Sequence, residues 1–69
     1  MNFEVKSESE MREDTDKFIL VVESALDVAE DRKRELKSIL SNAKRCLDEQ
    51  NYFAWQGFMN KALMLWQTS

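Results

Sequence analysis

The chain contains no histidine and no proline, and it has a single cysteine and a single glycine. Without histidine, the usual zinc-binding spacings and the histidine-activated nucleophiles are missing. One cysteine, Cys46, cannot form an intramolecular disulfide, and we expect it to be a packed thiol. Turns and sheets normally need proline and glycine, so their shortage argues against a multi-stranded fold. We therefore expect an all-α protein without a cofactor or metal and without enzymatic activity.

Long apolar runs are missing as well. The two longest, at residues 18–22 and 62–66, have five residues each, whereas a membrane-spanning helix needs about 20. The N-terminus lacks the basic and apolar regions of a signal peptide. These features predict a cytoplasmic protein that makes no use of a membrane, and a free thiol fits that compartment.

The size of the chain limits how it can be stable. Its 69 residues form one domain at most, and a chain this short hides only about 60% of the surface that its unfolded form exposes. Small scaffolds usually add a disulfide, a metal or a second subunit. The first two are excluded by composition, which leaves self-association, a partner protein or unusually good helix packing.

The net charge of −3 is spread unevenly along the chain. Residues 1–16 carry six acids and two bases, residues 17–50 carry seven of each, and only Lys61 is charged beyond residue 50. The polar, aperiodic start predicts an acidic, disordered tail over residues 1–12. Residues 13–69 are then predicted to form a single helical domain.

An apolar stripe with alternating steps of three and four residues is the dominant pattern. This spacing is typical of a coiled-coil seam and predicts a long helix over about residues 14–48. Its members are Ile19, Val22, Leu26, Ala29, Lys33, Leu36, Leu40, Ala43 and Leu47, of which only Lys33 is polar.

A second helix is predicted over about residues 52–67. Asn51 is a favourable N-cap, and the apolar residues that follow have helical spacing: Trp55, Phe58, Met59, Ala62, Leu63 and Trp66. Gly57 inside this helix costs about 1 kcal/mol relative to alanine. We expect the close approach of another backbone to compensate for it.

The two predicted helices differ in length. The first would be about 50 Å long, and the second, folded back as a helical hairpin, would cover only Leu36 to Leu47. The half of the stripe from Ile19 to Ala29 would then need another cover. We favour an antiparallel dimer that forms a four-helix bundle, and the alternative is a three-helix bundle with a bend near Asp31.

Charges beside the seam suggest how the uncovered half is paired. Antiparallel pairing about residue 33 places Glu23 opposite Lys44 and Glu30 opposite Lys37, between chains or within a hairpin, and such flanks help to set orientation. Aromatic residues of the second helix also suit an interface. The predicted interface comprises Phe18, Ile19, Val22, Glu23, Leu26, Ala29, Glu30, Lys37, Lys44, Trp55 and Trp66.

These features favour a non-enzymatic protein–protein interaction module, such as a small adaptor, co-chaperone, regulator or inhibitor. Its partner would be a second copy of the chain or another helical protein. The alternative is a nucleic-acid-linked regulator that uses the basic stretch 32–37. Nucleic acid is the weaker expectation because acids surround this stretch and the chain is acidic overall.

Residues 39–66 carry two resemblances. With Ala43, Asn51-Tyr52 and Met59, this stretch resembles a tetratricopeptide helix pair, although Trp55 occupies a small-residue position and only one copy is present. The segment 49–56 also resembles the small co-chaperones of type III secretion needle subunits. That resemblance implies a long helix followed by a shorter one, acting beside a helical-repeat chaperone.

Overall fold

The computed structural model describes residues 7–68 and contains three α-helices within them. These are α1 (Glu8–Ser24), α2 (Glu30–Asp48) and α3 (Tyr52–Gln67). Neighbouring helices run antiparallel, and the described chain measures 34 × 28 × 17 Å. The all-α prediction is confirmed, in the form of the three-helix bundle that was the alternative.

The favoured unbroken helix over residues 14–48 is wrong. The chain leaves the helix at Ala25 and re-enters it at Glu30, so the bend lies before Asp31 rather than at it. No glycine or proline marks the bend. Glu30 and Asp31 fall in the first turn of α2, where acidic side chains interact favourably with the helix dipole.

The first helix also begins earlier than the sequence pattern predicts. Ser7 caps α1, and its side chain accepts a hydrogen bond from the backbone N–H of Glu10 at 3.2 Å. Residues 8–12, predicted to be disordered, therefore belong to α1. The remainder of the predicted tail, residues 1–6, lies outside the described residues.

The turn between α2 and α3 follows the prediction closely. The N–H of Asn51 donates to the carbonyl of Cys46 and the N–H of Gln50 donates to that of Leu47, which is the Schellman arrangement of a helix end. Gln50 takes the left-handed conformation that this motif requires, with φ of 58°. The Asn51 side chain then accepts from the N–H of Ala54 at 3.2 Å and caps α3.

The core consists of two apolar clusters that follow one another along α2. Each draws on all three helices, and partly buried Phe58 and Met59 pack against both. Each fully buried leucine or valine contributes about 1.5–3 kcal/mol relative to an exposed one. The first cluster contains Met11, Ala43, Cys46, Leu47 and Trp55, and the second contains Val22, Leu36, Ile39, Leu40 and Ala62.

The predicted seam therefore holds in α2 and at Ile19 and Val22 of α1, but it fails at Leu26 and Ala29 in the loop between these helices. Leu36, Leu40, Ala43 and Leu47 are all fully buried. In α1 the buried line is Met11, Thr15 and Val22, while Leu26 is 95% exposed. The bend removes Leu26 from the seam, since this residue lies in the connecting loop.

Candidate interaction surface

Most of the predicted interface residues of α1 are buried or partly buried within the bundle. Val22 is fully buried against α2 and α3, and Phe18 and Ile19 pack around the same cluster. The premise that this half of the stripe lacks a cover is therefore wrong, because α1 folds back onto α2. Only Leu26 and Ala29 remain exposed at the bend.

The charged residues pair in a different register from the predicted one. Lys37 lies 3.6 Å from Glu23, and Lys44 lies 2.9 Å from Asp16. A third pair joins Arg12 to Asp48 at 2.6 Å, and this contact raises the pKa of Arg12. All three pairs are symmetric about residue 30 rather than 33, because the bend lies at residues 25–29; Glu30 is exposed in the first turn of α2.

Thr15 was not predicted to be a core residue, although its side chain joins α1 to α3. It is fully buried, donates to the carbonyl of Met11 at 2.7 Å and accepts from the indole N–H of Trp55 at 2.9 Å. Its spacing from Met11 and Phe18, at four and three residues, was the available signal. The hydrogen bond gives Trp55 a structural role in the core.

Two further aromatic contacts hold the inner side of α3 against α1. The rings of Phe18 and Trp66 meet edge to face, with centroids 6.1 Å apart. The hydroxyl of Tyr52 donates to Glu8 at 2.9 Å, and this hydrogen bond raises the pKa of Tyr52. Trp66, a predicted interface residue, is thus partly buried inside the bundle.

The opposite side of α3 is apolar yet open to solvent. Phe53 is 89% exposed and Met64 is 68% exposed. With Gly57 and Asn60 between them at steps of four, three and four, they form one line along the helix. We call this line, Phe53, Gly57, Asn60 and Met64, the outer face of α3.

Gly57 has no packing partner within the described chain. A Cβ atom built at this position meets nothing within 4 Å, and its φ is not positive. The backbone whose close approach the sequence predicts at Gly57 is therefore not supplied by residues 7–68. Gly57 lowers the stability of α3, and no contact within residues 7–68 compensates for this loss.

An open groove of about 940 Å³ runs beside the outer face, between α2 and α3. Its apolar lining includes Ile39 on α2 and Phe58 and Leu65 on α3. Three residues of the outer face, Gly57, Asn60 and Met64, also line the groove. Asp31, Arg34, Glu35 and Lys61 supply its charges. Phe53, nearer the start of α3, is not among the lining residues.

A low charge distinguishes the α3 side of this surface from the other two helices. α3 carries Lys61 as its only charged residue, whereas α1 and α2 carry many charges of both signs. Depletion of charge, together with exposed aromatic and methionine side chains, is the compositional mark of a protein interface. The outer face and the groove therefore form the candidate interaction surface.

The predicted basic stretch gains no support as a phosphate-binding surface. Arg34 lies 3.8 Å from Asp31 in the same helix, and Lys37 pairs with Glu23. Part of the positive charge that would face a nucleic acid therefore faces carboxylates.

Two negative observations concern the described residues 7–68. They contain no cluster of three or more histidine, cysteine or acidic residues placed to hold a metal. None of their helices has both the length and the apolar character needed to cross a bilayer.

Comparison with known protein families, curated proteins and solved structures finds no match to this chain.

Proposed function

We propose that this protein is a non-enzymatic protein–protein interaction module that binds through the outer face of α3 and the adjoining groove. It would act in the cytoplasm as a small adaptor, co-chaperone or regulator. The observation that carries the proposal is a helix whose solvent side exposes Phe53 and Met64 and carries a single charge. Scattered exposed apolar residues are ordinary, but two large ones on one side of a helix, beside a partly apolar groove, are typical of a binding surface.

The inner packing supports this assignment. Trp55 and Ala62 already anchor α3 to the bundle, so Phe53 and Met64 are not needed to hold the helix in place. Leaving such side chains in water forgoes the free energy that their burial would release. A partner that covers the outer face supplies that burial.

Cross-linking inside cells of the source organism tests the proposal. A photoreactive amino acid replaces Phe53 in one variant, and replaces Lys17, whose side chain is 68% exposed on charged α1, in a control variant. We expect protein adducts at position 53 well above those at position 17, whether to another copy or to a different protein. Equal or absent adducts at the two positions contradict the proposal.

A further inference from the structure

The outer face of α3 is complementary to itself in one orientation. Its line of four residues has steps of four, three and four, which read the same in both directions. An antiparallel copy centred between Phe58 and Met59 would bring Phe53 of each chain opposite Met64 of the other, and Gly57 opposite Asn60. A two-fold interface requires this reciprocity, in which each residue of a contacting pair meets the other's counterpart.

The groove adds a second form of self-complementarity. Phe53, the most exposed aromatic side chain of the described residues, lies outside the groove, which follows α3 from Gly57 to Thr68. Phe53 and Met64 are about 16 Å apart along the helix. Antiparallel pairing moves Phe53 of one copy across this distance to the groove of the other, so each copy contributes one ring and one groove.

Gly57 and the charge distribution agree with the same arrangement. A glycine in a helix interior allows the close approach of a second backbone, and residues 7–68 provide none at Gly57. The single charge of α3, Lys61, would lie opposite the neutral Gln56 of the second copy.

We propose that the occupant of the outer face is a second copy of this chain, forming a two-fold dimer through antiparallel α3 helices. This inference rests on the proposed function and names its partner. The dimer differs from the one that the seam of residues 19–47 predicts, because that seam is now covered within the chain. One helix face and a groove make a small interface, so the dimer should dissociate on dilution.

Sedimentation equilibrium of the full chain from about 5 μM to about 500 μM measures the association. We expect the mass to rise with concentration from the 8.2 kDa monomer toward twice that value. Phe53→Asp should weaken association at least about tenfold, because a buried aromatic ring is often among the strongest contacts of an interface. The matched control is Leu26→Asp, at a residue that is 95% exposed and lies outside both the outer face and the groove lining, and it should leave association unchanged.

Gly57→Ala separates dimer contact from folding, since its two effects have opposite signs. Alanine should raise the melting temperature of the monomer, because it favours the helix and meets no neighbour. It should weaken the dimer, because the added methyl groups separate the paired helices. Circular dichroism at low concentration gives the first effect and sedimentation gives the second.

A wild-type chain that stays monomeric throughout the range overturns the dimer. Association that is insensitive to both Phe53→Asp and Gly57→Ala overturns it equally. If the chain is monomeric but the photoreactive residue at position 53 captures a different protein, the proposed function stands and only the self-pairing fails. If position 53 captures nothing above the control and the chain is monomeric, both fail.

Discussion

At the residue scale, the most consequential side chain is a buried hydroxyl. Thr15 is fully buried, and its oxygen both donates to the backbone of α1 and accepts from Trp55 of α3. A polar group removed from water costs free energy unless it is paired. This one contact therefore satisfies the indole N–H and fixes how α3 lies against α1.

Replacing Thr15 with valine should reduce the free energy of unfolding by about 1–3 kcal/mol, because it leaves the Trp55 N–H buried and unpaired. The shape of the side chain hardly changes, so packing contributes little. Urea denaturation followed by circular dichroism measures the loss. Thr15→Ser keeps the oxygen and serves as the control. Equal losses in the two variants would show that the methyl group, not the hydrogen bond, is what the site requires.

At the scale of elements, the bend at residues 25–29 is the decisive feature. Ala25, Leu26 and Ala29 are compatible with a helix, so local propensity alone predicts that α1 continues into α2. Breaking the helix forgoes several backbone hydrogen bonds, each worth about 0.5–1.5 kcal/mol net. Folding back buries Val22 and partly buries Phe18 and Ile19, and that burial offsets the loss.

Spin labels at Glu13 and Arg45 distinguish the bent chain from an unbroken helix. In the bundle, α1 and α2 are neighbours with axes about 10 Å apart, so we expect a short label distance. An unbroken helix would separate the labels by about 48 Å. Double electron–electron resonance measures this distance. The labelled cysteines are introduced in a Cys46→Ala background, and excess unlabelled protein removes distances between chains.

A label pair at Arg34 and Arg45 supplies the control for that measurement. Both residues lie in α2, so their separation of about 16 Å along the axis should be the same in either arrangement. A long distance between positions 13 and 45, with the control unchanged, would restore the continuous helix.

At the scale of the whole molecule, the bundle is small and its stability depends on a core shared by all three helices. Its expected free energy of unfolding is about 3–10 kcal/mol for a chain of this length. Both core clusters draw on all three helices, so no pair of helices buries the whole core by itself. The large apolar side chains left most exposed are Leu26 at the bend and Phe53 and Met64 on α3, while Leu20 and Val21 on α1 are exposed to a smaller extent.

Val22 and Leu26 occupy equivalent positions in the predicted seam, but truncating them should change the free energy of unfolding by very different amounts. Val22→Ala should cost about 2 kcal/mol, because the side chain is fully buried and leaves a cavity. Leu26→Ala should change stability by less than about 0.5 kcal/mol, since Leu26 is 95% exposed. Chemical denaturation of both variants at one low protein concentration measures the difference. Similar losses would contradict the placement of the bend.

The candidate surface could be foreseen from the sequence only in part. The apolar residues of α3 that lie off its main stripe, including Phe53 and Met64, indicate more than one apolar side. Their exposure depends on which sides of α3 the other helices cover, and that depends on the bend. The interface predicted from the sequence therefore relies on residues such as Val22, which the fold buries.

The sequence by itself determined the helical class, the end of α2, the Asn51 cap and the length of α3. These follow from local physics: the scarcity of glycine and proline, apolar spacing, and a side chain that satisfies free N–H groups. Only the tertiary structure decided the bend at residues 25–29, the ion pairs centred on residue 30 and the exposed side of α3. Those features depend on burial between segments distant in the chain, and this outweighs a local preference for continuous helix.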